Sequence, residues 1–123
     1  MSKTILIVDD SSSLRTLVRM ALTRAGYEVL EAGDGQEALQ ALDRAARVHL
    51  VVCDVNMPRM DGITFVTQVK QHPKHRFIPV VMLTTEDEGA SRERGRQAGA
   101  KAWMVKPFNP PQLLDTVSKL VLA

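Results

Sequence analysis

The sequence predicts an α/β fold, a five-stranded parallel sheet with helices on both faces. Two observations point there. Five short runs rich in β-branched and apolar residues recur along the chain, each followed by a segment of helical apolar spacing. The runs are also almost unbroken in their apolar character, as expected of strands covered on both faces. Parallel neighbours need crossover connections, and those are right-handed, so strand–helix alternation leads to a doubly wound sheet.

The elements follow in order. Thr4-Ile5-Leu6-Ile7-Val8 is the first strand. Ser11, Ser12 and Ser13 offer N-cap hydroxyls, Leu14, Leu17, Val18, Ala21 and Leu22 repeat at helical spacing, and Gly26 stops the helix. Glu28 to Ala32 is a short second strand. Ala38, Leu39, Leu42, Ala45 and Ala46 mark a second helix that begins after Asp34-Gly35. Leu50 to Cys53 is the third strand and runs directly into Asp54. A loop from Val55 to Gly62 leads to a helix carrying Ile63, Val66 and Val69. Ile78 to Leu83 is the fourth strand, with Pro79 at its start, where a missing N–H does least harm. Residues 89–98 form a helix poor in apolar anchors, 102–105 the fifth strand, and Leu113, Leu114, Val117, Leu120 and Val121 the closing amphipathic helix.

With 123 residues and no repeat, linker or low-complexity stretch, the chain reads as one domain over residues 1–123. The lone Cys53 excludes an internal disulfide and suits a reducing cytoplasm. The apolar runs are too short to cross a bilayer, and residues 1–4 enter structure with no room for a cleavable signal. A net charge of +2 gives no case for nucleic acid. The charge is divided, however: residues 1–62 carry a net −2 and residues 63–123 a net +4.

In open parallel sheets, function gathers at the carboxyl ends of the strands, at the switch point of strand order. Asp9 and Asp10 follow the first strand, Asp54 the third, Thr84 the fourth and Lys106 the fifth. If the order is 2-1-3-4-5, three carboxylates meet in one crevice. Close acids raise one another's pKa unless a cation intervenes, and an all-oxygen set without His or Cys suits a hard ion such as Mg²⁺, with Mn²⁺ able to substitute. Acids, metal, hydroxyl and ammonium together form a clamp for a transferring phosphoryl group, with Asp54 placed as the nucleophile.

These residues also carry a family resemblance. Ile5-Leu6-Ile7-Val8-Asp9-Asp10-Ser11, the loop Asp54 to Gly62, the Thr84 position and Val105-Lys106-Pro107-Phe108 together resemble a receiver domain of a two-component response regulator. The likeness covers essentially the whole chain and implies the flavodoxin-like, CheY-like order 2-1-3-4-5. It implies that Asp54 accepts the phosphoryl group and that Asp10 and Asp54 ligate Mg²⁺ directly. Asp9 would act through water, and the Asn56 backbone carbonyl would complete the protein ligands. Thr84 is similar to the hydroxyl residue that moves toward the phosphoryl group, and Lys106 to the lysine that contacts it, its bond to Pro107 being cis. Trp103 stands three residues before Lys106, where the family has Tyr or Phe as a switch aromatic; its bulk is set against full inward rotation. Thr85 stands where Ala or Ser is commoner. Asn56 and Glu86 match a pair that accompanies rapid self-dephosphorylation in chemotaxis-type receivers.

The resemblance further implies a histidine kinase of the CheA type as phosphodonor. Its output would be phosphorylation-dependent binding to a motor-switch or other motility protein, without enzymatic turnover of any other substrate. Output by binding is also expected because the sequence ends directly after the fifth helix. Arg92, Arg94, Arg96 and Lys101, beside Trp103 and opposed only by Glu93, form a basic surface suited to an acidic partner segment. His49, His72 and His75 are read as not clustering with any acid at metal-ligand spacing, and the last two as solvent-facing. The alternative from another class is a small Mg²⁺-dependent aspartyl-phosphate phosphatase of haloacid-dehalogenase type, although Asp9-Asp10 does not match that family's Asp-x-Asp.

Overall fold

The computed structural model describes residues 2–84, 89–106 and 108–122; for residues 84 and 89–92 it describes the backbone alone. Five strands, β1 (Thr4–Val8), β2 (Glu28–Ala32), β3 (Leu50–Asp54), β4 (Val80–Thr84) and β5 (Ala102–Val105), alternate with five helices. The helices are α1 (Ser12–Arg24), α2 (Gly35–Arg44), α3 (Gly62–Gln71), α4 (Gly89–Ala98) and α5 (Pro110–Leu120). The sheet order is β2-β1-β3-β4-β5, every neighbouring pair parallel. The four strand ends that carry candidate site residues, those of β1, β3, β4 and β5, therefore lie along one edge.

Side-chain alternation divides the core between the two faces of the sheet. Leu6 and Val8 of β1, with Val51, Cys53 and Met82, pack under α2 and α3 through Ala38, Leu42, Phe65, Val66 and Val69. Ile5 and Ile7, with Val52, Val81 and Met104, pack under α1 and α5 through Val18, Leu22, Leu113 and Val117. No described helix is long and apolar enough to cross a membrane.

The helix starts have local causes. The Ser11 hydroxyl accepts from the Leu14 N–H at 3.2 Å, Asp34 caps α2 through the Glu37 N–H and Asp61 caps α3 through the Thr64 N–H. Asn109 caps α5, where Pro110 and Pro111 occupy positions that have no N–H bond to lose.

Some boundaries differ from expectation. β4 starts two residues late because the Ile78 N–H is used in a turn to the His75 carbonyl and Pro79 has none to give. The strand then extends through Thr84, as β3 does through Asp54. α2 ends at Arg44, since the extended backbone of Ala45 leaves the helix, and Ala46 is exposed. Leu17 is 56% exposed: it sits about 100° around α1 from Val18, outside the seam that meets the sheet.

Gly62 shows how tightly the carboxyl edge is built. A Cβ there would run into the backbone carbonyl of Asp54, while the Gly62 N–H donates to Val55 O at 2.8 Å. Backbone cannot rotate out of the way as a side chain can. Gly62→Ala should therefore lower unfolding free energy by about 2–3 kcal/mol in urea denaturation, the usual cost of overpacking.

Candidate functional site

The order of the sheet makes β1 and β3 neighbours, so Asp9, just beyond β1, faces Asp54, the last residue of β3. The carboxylates of Asp9, Asp10 and Asp54 each offer an oxygen, and these lie within 4.8 Å of one another. Asp9 is 2% exposed and Asp54 6% exposed, whereas Asp10 stands open at the mouth. Lys106 arrives from the end of β5 and is itself largely buried. Its Nζ lies 2.9 Å from Asp9 Oδ2 and 3.5 Å from Asp54 Oδ1.

Asp9 is held on several sides. Its Oδ1 accepts from the Ser11 N–H at 2.8 Å, its own N–H donates to Ala32 O, and Arg15 donates to its carbonyl at 2.5 Å. Asp54 is less well compensated. Burial and the neighbouring Asp9 charge push its carboxyl up to about 6, against the opposing pull of Lys106. One ammonium among three carboxylates leaves the pocket with surplus negative charge and only oxygen donors. That combination fits a small hard dication.

The Thr84 backbone closes the same edge: Asp54 pairs with Leu83 in register and Thr84 with Val105, next to Lys106. The Thr84 side chain, and Thr85, Glu86 and Pro107 altogether, lie outside the described residues. Asn56 is exposed on the loop after Asp54. Trp103 is half-buried against α4. Its ring fills the place that a Cβ on Gly95 would occupy, and its Nε1 is buried with no hydrogen-bond partner among the described residues. On the basic surface, Arg94 and Lys101 are exposed, and Arg96 is paired with Glu93 at 2.6 Å; the Arg92 side chain is outside the described residues.

The reading of the histidines needs correction. His75 is 3% exposed, and its Nε2 lies 3.0 Å from Asp43 Oδ1, holding that carboxyl below the usual range. His72 stacks on His75 with centroids 4.2 Å apart. Asp43, His72 and His75 thus do form a cluster, closing the ends of α2 and α3 at the far end of the sheet. His72 Nδ1 accepts the Lys74 N–H and His75 Nε2 is engaged with Asp43, so hydrogen bonding and ring stacking account for the arrangement. Sequence separation hid it, since the acid is 32 residues from His75. Also missed were Arg15, which clamps Asp9, and Arg59, which pairs with the buried Asp34.

Residues 5–118 match the family model described as the response regulator receiver domain. The chain belongs to the response regulator receiver family. The receiver is 40% identical over 119 residues to chemotaxis protein CheY1 of Helicobacter pylori, covering 96% of this chain and 95% of that protein. It is 40% identical over 121 residues to the transcriptional regulatory protein PhoP of Bacillus subtilis, which controls alkaline phosphatase synthesis by its name. There the match covers 98% of this chain but 49% of PhoP, so the chain spans about half of that relative. The solved structure of chemotaxis protein CheY4 of Vibrio cholerae superposes with a TM-score of 0.93 at 43% identity, over 98% of this chain and 100% of that one. Family membership settles the choice between receiver and phosphatase, and receivers generally hold Mg²⁺ in such an acidic pocket.

The raised Asp54 carboxyl has a thermodynamic signature in the metal-free receiver. Folded, it keeps its proton up to about 6; unfolded, only to about 3.9. Between those values the folded chain binds more protons, so this group's contribution to stability falls as pH rises through the window and stays low above it. Asp54→Asn removes the contribution. In EDTA, the stability advantage of the Asn variant over wild type should grow by about 2 kcal/mol between about pH 4 and about pH 7. Urea denaturation at both pH values measures it, and a pH-independent difference would refute the electrostatic assignment.

Proposed function

We propose that this receiver is a phosphorylation-dependent signalling switch, acting by protein binding in a chemotaxis or motility pathway. The observation that carries the reading is Asp54, buried between Asp9 and Lys106 at the edge where Asp10 opens to solvent. A carboxylate oxygen of Asp54 attacks the phosphorus of a phosphohistidine on a CheA-like kinase. The P–O bond forms as the P–N bond breaks, and the departing imidazole takes a proton from solvent.

Asp9, Asp10, Asp54 and the Asn56 backbone carbonyl would hold Mg²⁺, which when bound neutralises charge on the reacting oxygens. Lys106 exchanges part of its pairing with Asp9 for a phosphoryl oxygen, and the Thr84 hydroxyl donates to another. Asn56 and Glu86 orient a water whose oxygen attacks phosphorus in line. The bond to Asp54 then breaks, phosphate leaves, and the water's proton passes to phosphate or solvent. This reading makes the phosphoryl form short-lived, seconds to minutes.

Trp103, the sole tryptophan, reports the cycle. Its emission should change on adding Mg²⁺ and again with beryllofluoride, and Asp54→Asn should abolish the second change. After a pulse of acetyl phosphate the signal should return within minutes; persistence for many hours would refute the lifetime assignment.

The 40% identity to CheY1 and the 43% identity to CheY4 support a chemotaxis-type role, beside PhoP, whose name indicates a transcriptional one. The exposed cations Arg94 and Lys101, with Arg92, Arg96 and Trp103, make the face of α4 and β5 the output surface, suited to an acidic segment of a motor-switch or other motility protein. Charge reversal at Arg94 and Arg96 should weaken capture of such a partner by roughly tenfold or more while leaving phosphorylation by acetyl phosphate unchanged. Parallel loss of both would place these residues in the pocket's chemistry instead.

A further inference from the structure

The loop between β3 and α3 carries backbone hydrogen bonds at its apex, where the Met60 N–H closes a tight turn around Arg59 by donating to Pro58 O at 2.7 Å, and at its base. There, the Gly62 N–H donates to Val55 O at 2.8 Å and Asp61 caps α3. The apex, Pro58 to Met60, is also held by tertiary contacts with the start of α2. Arg59 is the one non-glycine residue with positive φ, at 64°, among the described residues. L side chains seldom adopt this conformation, and it persists only where surroundings impose it.

The surroundings are specific. Arg59 pairs with Asp34 Oδ2 and lies 3.9 Å from Glu37 Oε2. Asp34 is 1% exposed, and its other oxygen caps α2 by accepting the Glu37 N–H at 2.9 Å. The carboxyl of Asp34 lies below its ordinary range, chiefly through that backbone hydrogen bond and then through Arg59. Met60, next in the chain, covers Gly35 so closely that a Cβ there would fall 2.8 Å from the Met60 Cγ and Sδ. This anchor stands beside the pocket, since Asp9 donates its N–H to Ala32 O two residues before Asp34.

We propose that Arg59 is a positioning residue: by bridging to Asp34 it pins the β3–α3 loop, and with it the Asn56 backbone, against the acids around Asp54. The proposal rests on the functional reading above. Arg59 reaches no reacting group; it acts by fixing a segment whose carbonyl belongs to the cation's ligand set. Loss of the bridge should therefore weaken Mg²⁺ binding more than it slows transfer once Mg²⁺ is saturating.

The test uses Arg59→Gly, which keeps the left-handed backbone but removes the guanidinium. Asp34→Asn retains a capping acceptor without charge, Arg59→Lys retains the charge, and the double variant Arg59→Gly/Asp34→Asn strands no buried charge. Mg²⁺ affinity is read by Trp103 emission, phosphorylation by acetyl phosphate across Mg²⁺ concentrations, and stability by thermal melting. Each single loss should weaken Mg²⁺ affinity by roughly tenfold, as removal of groups that orient metal ligands does. The rate at saturating Mg²⁺ should stay within about twofold, Arg59→Lys should recover most of the affinity, and the double variant should be no worse than either single one. If Arg59→Gly alone unfolds by leaving Asp34 unpaired, the double variant carries the measurement. Variants that melt lower but bind Mg²⁺ as wild type does, or losses that add in the double variant, overturn the proposal. A wild-type chain that neither binds Mg²⁺ nor accepts phosphoryl overturns the functional reading itself.

Discussion

Two carboxylates at the ends of adjacent parallel strands, removed from water and supplied with one ammonium, form the constraint around which this receiver is organised. Opposite unit charges about 4 Å apart attract by about 4 kcal/mol at an effective dielectric of about 20, and like charges repel by a similar amount. Lys106 can thus offset the repulsion between Asp9 and Asp54 but cannot also neutralise Asp10, which is left in solvent. The residue is a pocket whose charge is incompletely satisfied within the folded chain. A small hard cation would offset that surplus of negative charge.

The neighbouring backbone is arranged so that this imbalance does not distort the edge. Asp9 is fixed by the Ser11 N–H and, through its carbonyl, by Arg15, which in turn is tied to Glu31 at 3.1 Å. Gly62 lets α3 begin directly against the Asp54 carbonyl, and Met60 closes over Gly35. The firmest links are to Asp9 and to the loop, while Asp54 itself keeps few partners. The nucleophilic role proposed for Asp54 would need that freedom, since a group saturated with hydrogen bonds is a poor nucleophile.

The sheet, its helices and the convergence of Asp9, Asp10, Asp54 and Lys106 at one edge were legible in the sequence for one reason. Parallel strands covered on both faces write themselves as apolar runs, and the topology then sends whatever follows each run to a single edge. Features made by contact between distant elements were not legible. Asp43 and His75 bond across 32 residues, and Arg59 and Asp34 across 25. In each pair one partner, His75 or Asp34, is buried, and nothing local in sequence announces a buried polar group. Leu17 misled in the opposite sense, since helical spacing gives the apolar stripe but not the width of the seam that the sheet covers. The Thr84 hydroxyl, Glu86 and the Arg92 side chain remain readings of the sequence.

Trp103 shows how an edge of charged residues connects to a surface elsewhere. It lies three residues before Lys106 on the same strand, paired in register with Met82, and its ring takes the space left by Gly95 in α4. α4 has few apolar side chains of its own, so the Gly95 seat is a principal point at which it grips the sheet. Among the described residues the buried indole N–H of Trp103 has no hydrogen-bond partner, and burial without one costs about 1–3 kcal/mol. A shift of Lys106 from Asp9 toward a phosphoryl oxygen would act on the end of β5, the strand that carries Trp103. The element least secured by its own packing is then the one bearing Arg94 and Arg96. For the switch proposed above, weak local anchoring would let a change in charge at the pocket alter the basic face without reorganising the core.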